Sequence, residues 1–188
     1  MKLIIIDGLD GSGKSTQAHI IFKTLKQMNK KVSIRVHPES DNWIGQKAHT
    51  FLYSKGKSAH FSSALFYMAD VLRSILLYSW RKDDYIIFVR YLMGTAYLPS
   101  PLHSIGYNFF SAIVPKSKKM FFLDVNPKVA ASRIENNRTD IEMFENLASL
   151  RKVRAKALAL TRFDNWIIID SNQPTEAVAS SLRTHLAE

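Results

Sequence analysis

The sequence predicts an α/β fold in three layers, with a five-stranded parallel sheet between helices, and three observations carry that prediction. Five short runs rich in Ile, Val, Leu and Phe are spaced along the chain, and runs of this kind read as strands buried on both faces. A sheet with one wet face would alternate polar and apolar residues instead. Between these runs lie segments with helical spacing, and a parallel strand pair needs just such a crossover. Finally, 188 residues with 46% hydrophobic content can bury one sizeable core and are short for two, so a single domain over 1–188 is expected. No internal repeat, low-complexity tract or linker interrupts it.

Lys2-Leu3-Ile4-Ile5-Ile6-Asp7 is the first strand, and Ser15 to Met28 the first helix, with Ala18, Ile21, Phe22, Leu25 and Met28 on one face. Val32 to Val36 reads as the second strand, and Pro38 keeps the polar stretch His37 to Asn42 from continuing as helix. Ile44 to Tyr53 fits a short helix. From Ala59 to Arg81, Phe61, Leu65, Met68, Leu72, Ile75 and Leu76 recur at steps of three and four, which predicts a long amphipathic helix with Ser63, Tyr67, Asp70 and Ser74 on its other face. Tyr85 to Val89 is the third strand and delivers Arg90 at its C-terminal end, where open α/β sheets bind ligands. A less regular stretch, Leu92 to Ser117, holds a helix around His103 to Ile113. Met120 to Asp124 is the fourth strand, and Asn126-Pro127 starts a helix with proline in its first turn. Asn136 to Asp140 interrupts the helical pattern, which resumes from Met143 to Leu160. Trp166 to Ile169 is the fifth strand and Pro174 to Leu186 the closing helix.

The stretch between the first strand and the first helix carries the chemistry. Gly8-Leu9-Asp10-Gly11-Ser12-Gly13-Lys14-Ser15 matches G-x-x-x-x-G-K-[ST], and Thr16 continues into the helix. Glycines let consecutive backbone N–H groups converge on anionic oxygens without a side chain in the way. Lys14 adds a mobile cation, Ser15 a hydroxyl for a magnesium ion, and the helix N-terminus points at the phosphates. The sequence therefore predicts a nucleoside triphosphate site.

Composition narrows the alternatives. The 26 Lys and Arg against 16 Asp and Glu give a net charge of +10, which suits phosphorylated ligands or nucleic acid, but no nucleic-acid module signature accompanies it. There are no cysteines, which rules out a disulfide framework and a thiolate metal site. The six histidines show no metal-ligand spacing. No run approaches the ~20 apolar residues of a membrane span, and Leu3 to Ile6 is too short for a secretory signal, so a cytoplasmic location without membrane partners is expected. The size, the absence of appended domains and the absence of an N-K-x-D base-reading motif favour a small kinase over a motor or a GTPase. Such an enzyme would use ATP and Mg2+, with Lys14, Arg133 and Arg138 neutralising charge on the transferring group.

Ile5 to Gln17 resembles the opening of the thymidylate kinases. Leu123-Asp124-Val125-Asn126-Pro127 with Ala130, Arg133 and Ile134 is similar to their L-D-V-x-P-x-x-A-x-x-R-I segment, and Glu145 to Leu160 to the helix after their lid. The resemblance runs nearly the whole length. It implies a nucleoside-monophosphate kinase that moves the ATP γ-phosphate to dTMP, with ATP bound by Gly8, Asp10, Gly11, Ser12, Gly13, Lys14, Ser15 and Thr16. It also implies a small lid around 133–142 bearing Arg133 and Arg138, and commonly a homodimer. Asp10 corresponds to the loop carboxylate that meets the acceptor sugar, Arg90 to the arginine of D-R-Y that contacts phosphate, and Tyr67 to the aromatic that stacks on thymine; Asp70 completes the expected acceptor set. With glycine and serine at 11 and 12, the loop offers no arginine, so the lid would supply the catalytic cation. Departures accompany the likeness. Val89 stands where D-R-Y has its aspartate, Ser40 where an acceptor-phosphate arginine is expected, Val71 where an arginine reads the thymine carbonyl, and Ala157 where a tyrosine is expected. A kinase with a different (deoxy)nucleotide acceptor and a catalytically altered nucleotide-binding module are the alternatives.

Overall fold

The computed structural model describes residues 2–39, 41–52, 57–137 and 146–187. Strands β1 (Lys2–Gly8), β2 (Val32–Val36), β3 (Tyr85–Val89), β4 (Lys119–Asp124) and β5 (Trp166–Asp170) pair in the order β2-β3-β1-β4-β5. Every pairing is parallel, with Ile6 opposite Val89, Gly8 opposite Leu123, and Asp124 opposite Asp170. The helices are α1 (Lys14–Gln27), α2 (Trp43–Leu52), α3 (Lys57–Ser79), α4 (Leu102–Ile113), α5 (Pro127–Asn137), α6 (Leu147–Leu160) and α7 (Thr175–Ala187). A 3-10 turn, Met93–Tyr97, follows β3.

Alternate side chains of the same strand feed two cores. Ile4, Ile6, Ile87, Val89, Phe121 and Leu123 pack beneath α1 and α7 with Ala18, Ile21, Val178 and Leu182. Ile5, Ile86, Phe88, Met120 and Phe122 pack on the other face with Met68, Val71, Tyr107, Ala130 and Val153 from α3 to α6. The continuous apolar strands of the sequence follow directly from this double coverage.

The long helix α3 turns its faces differently from the sequence pattern. Tyr67, Asp70 and Ser74, expected on the polar side, are 8%, 0% and 0% exposed, while Leu65 and Leu76 are 55% and 67% exposed. The physical reason is a buried polar network. Arg35 on β2, itself enclosed, donates to Ser74 Oγ at 3.0 Å and to Asp41, and lies 3.8 Å from Asp70. A guanidinium taken out of water needs these partners, and they draw the polar stripe of α3 inward.

Candidate active site

β1 ends at Gly8 on the C-terminal edge of the sheet, and the chain turns through Gly8, Gly11 and Gly13 at φ of +150°, +74° and +84° before α1 begins at Lys14. The turn is glycine-dependent for two reasons. Besides the backbone angles, a Cβ on Gly8 would lie 2.6 Å from the Leu123 carbonyl oxygen, and one on Gly11 2.5 Å from that of Ala130. The loop from Asp10 to Gln17 lines a cavity of about 440 Å³ together with Arg90, Arg133, Ser171, Gln173 and Thr175. Ser15 and Thr16 are exposed there, at the N-terminus of α1.

Asp10 is the centre of a compact charge cluster. Its carboxylate accepts from Arg90 Nη2 at 2.6 Å and from the Tyr97 hydroxyl at 2.7 Å, and lies 3.5 Å from Lys14 Nζ. Lys14 also donates to the carbonyls of Gly8 and Leu9. Burial alone would raise the Asp10 carboxyl, but the charges of Arg90 and Lys14 outweigh it and hold the group well below the usual carboxylate range. For Lys14 burial dominates and brings the ammonium down to about 8, Asp10 opposing and Arg90 reinforcing the shift. Arg133, from α5, donates to the Ser171 carbonyl at 3.0 Å and the Gly11 carbonyl at 3.5 Å, which sets its guanidinium beside the loop.

Arg90 reaches Asp10 because of its backbone. At φ +61° it occupies the left-handed region, uncommon for a residue with a side chain. Its N–H extends the β1–β3 ladder to Ile6 O at 3.1 Å. The buried Asp7 carboxylate accepts from the amides of Tyr91 and Met93 at 2.7 and 3.0 Å, and burial raises its pKa against those bonds.

The remaining expected residues are placed less directly. Tyr67 is almost enclosed, with its ring where a Cβ on Gly94 would meet it at 2.3 Å, and its hydroxyl has no hydrogen-bond partner among the described residues. Asp70 accepts from Glu39 N at 3.0 Å and from Asn42 Nδ2 at 2.9 Å, so its carboxylate holds the loop after β2. Neither Tyr67 nor Asp70 lines the cavity. Arg138 and Ser40 lie outside the described residues, as does the second half of the expected lid, 138–142. Four contributors went unread in the sequence: Asp7, His37, Tyr97 and Ser171, whose Oγ donates to Ser12 O. Asp7 left a signal, an acid closing a wholly apolar strand. Tyr97 sits in an irregular stretch and left none.

A family model described as thymidylate kinase matches residues 6–182. The chain belongs to the thymidylate kinase family. A probable thymidylate kinase of Metallosphaera sedula is 30% identical over 96% of this chain and 89% of its own length. Another probable thymidylate kinase, from Saccharolobus solfataricus, is 30% identical over 94% and 92%. The thymidylate kinase of Danio rerio is 27% identical over 96% and 87%. A solved thymidylate kinase from Candida albicans shares the fold at a TM-score of 0.76, covering 99% of this chain and 91% of that one at 21% identity.

Within this thymidylate kinase family member, the replaced positions are absorbed by the core. Val71 and Val89 are fully enclosed and Ala157 is 2% exposed. Val89 packs with Ile6 and Ala18 beneath α1, and Val71 with Met68 and Phe88 beneath α3. No group of three or more acidic or histidine side chains suited to a metal is present among the described residues. The donor set that fits magnesium is the exposed Ser15 hydroxyl together with phosphate oxygens of a bound nucleotide.

Proposed function

We infer that this protein transfers the γ-phosphoryl group of ATP to dTMP, giving dTDP and ADP in nucleotide biosynthesis. Family membership carries the reaction, and the Asp10 cluster supports the residue roles, because it joins the phosphate loop to the arginine that follows β3 at 2.6 Å. In this reading the loop amides from Gly11 to Thr16 and the Lys14 ammonium hold the donor phosphates. A magnesium ion held by the Ser15 hydroxyl would supply charge neutralisation to the donor phosphates. Arg90 binds the acceptor phosphate, Asp10 orients the Arg90 guanidinium and meets the acceptor sugar, and Tyr67 flanks the base. An acceptor phosphate oxygen attacks the γ-phosphorus in line, the bond to the β-bridging oxygen breaks, and ADP leaves with that electron pair. Arg133 and Arg138 stabilise charge spread over the transferring group.

The test is ADP release with ATP, magnesium and a panel of monophosphates, with Lys14→Ala as control. Turnover that depends on dTMP supports the reading, and ATP binding without acceptor-dependent ADP release overturns it. A different (deoxy)nucleotide acceptor is the second reading. Val71 favours it, since an enclosed valine offers no hydrogen bond to a base, and the same panel decides.

The proposal includes a cytoplasmic location and a homodimer. None of the described helices is long and apolar enough to cross a membrane. Leu65, Leu76 and Leu77 on α3 and Trp80 just after it are half or more exposed, with Trp80 at 88%, which supports pairing through that helix. Sedimentation at micromolar concentration would report it.

A further inference from the structure

His37 follows β2 directly and opens the stretch His37-Pro38-Glu39. Its side chain is fully enclosed, edge-on to Phe88 at a centroid distance of 5.3 Å. In such surroundings a phenylalanine would pack with no polar cost, and the imidazole carries one: Nε2 is buried with no hydrogen-bond partner among the described residues. The other nitrogen is engaged. Nδ1 lies 2.9 Å from the Arg90 carbonyl oxygen, which can only accept, so Nδ1 carries the proton. Burial lowers the imidazole to about 4, with Asp70 opposing, so the ring is neutral near neutral pH.

The peptide unit between Arg90 and Tyr91 is gripped at both ends. His37 Nδ1–H binds its carbonyl, and Asp7 binds its N–H at 2.7 Å. Two more contacts tie the same residues together, His37 N to Val89 O at 3.0 Å and Arg90 Nη1 to His37 O at 3.4 Å. Arg90 keeps its left-handed backbone inside this grip, and that backbone aims the guanidinium at Asp10.

We propose that His37 is a positioning residue for phosphoryl transfer, its Nδ1–H fixing the Arg90 peptide so that the Arg90 guanidinium meets the acceptor phosphate. The proposal rests on the reading of Arg90 given above.

Moving the donor nitrogen tests it. His37→Asn keeps an N–H near the Nδ1 position, His37→Gln moves it outward, and His37→Phe removes it. Phe and Gln are expected to lower kcat/KM for the acceptor by about tenfold to a hundredfold with the KM for ATP within about threefold of the parent, while Asn recovers most of the loss. In an Arg90→Ala background the His37→Phe step should cost less than about twofold, because the group it positions is gone. A Phe variant as active as the parent overturns the proposal, as does an Asn variant as impaired as Gln, or an undiminished Phe effect without Arg90. If the Phe variant does not fold, the Asn and Gln pair decides alone. Failure of the Arg90 reading itself would appear separately, as acceptor kinetics unchanged by Arg90→Ala in the native His37 background.

Discussion

The loop from Gly8 to Thr16 and the cluster around Asp10 share Asp10 and Lys14 and are built in opposite ways. The loop presents consecutive backbone amides, so its function depends on the conformations that glycine permits and on the helix that follows. The cluster is made of side chains from the phosphate loop, the residue that follows β3 and the 3-10 turn, with His37 of the β2 loop behind it, residues separated by up to 87 positions. Backbone-built sites survive change in most of their side chains. Side-chain-built sites depend on every supporting contact, and it is there that this chain departs from its family pattern at Val71 and Val89.

If the halves are separable, each can be broken alone. The largest effect is expected from Lys14→Ala, which should lower kcat by about a hundredfold or more and weaken ATP while leaving dTMP affinity within a few-fold. The fold should be retained in thermal unfolding, because Asp10 keeps its ion pair with Arg90 and its hydrogen bond from Tyr97. Arg90→Ala should come next, lowering acceptor kcat/KM by about a hundredfold with ATP affinity nearly unchanged. Equal damage to ATP binding in a calorimetric titration would mean that the two halves act as one unit.

Titration sharpens the donor side. With Lys14 at about 8, ATP affinity should fall as pH rises through that value, by up to about tenfold per unit well above it. Stability moves in the opposite direction. The folded chain sheds this proton near 8 and the unfolded chain near 10.5, so between those values the unfolded state holds more protons and the Lys14 contribution to stability rises with pH. Binding and denaturation series over the same range should diverge in sign in the parent, and the Lys14 contribution should vanish in Lys14→Ala. The smallest effect is expected from Tyr97→Phe, which removes one hydrogen bond to Asp10 and should cost about 1 kcal/mol in urea unfolding. Asp10 is depressed, so its contribution is present above 3.8 and lost as pH falls below it; the Phe variant should show a smaller acid-induced loss.

What was legible depended on the range of the contacts involved. Ile4 to Ile6, Ile86 to Phe88 and Phe121 to Leu123 read as central strands because double burial leaves a purely apolar run. The glycine pattern read as a phosphate loop because its geometry is local. The inward face of α3 did not read, since Asp70 and Ser74 are buried only by virtue of Arg35 on a strand that arrives 35 residues or more earlier. Tyr97 and His37 left no periodic trace because their partners, Asp10 and the Arg90 carbonyl, lie on other elements.

The sequence by itself determined the layered α/β architecture and the donor loop at the end of the first strand, which follow from local backbone preference and short-range apolar pattern, and the resemblance of its motifs pointed to the family. Tertiary structure alone decided that Asp10 meets Arg90 and Tyr97, that Asp70 serves the loop after β2, and that His37 Nδ1 meets the Arg90 carbonyl. The physical reason is common to all three: a buried polar group takes its role from whichever partner the fold brings within about 3 Å, and no spacing along the chain encodes that distance.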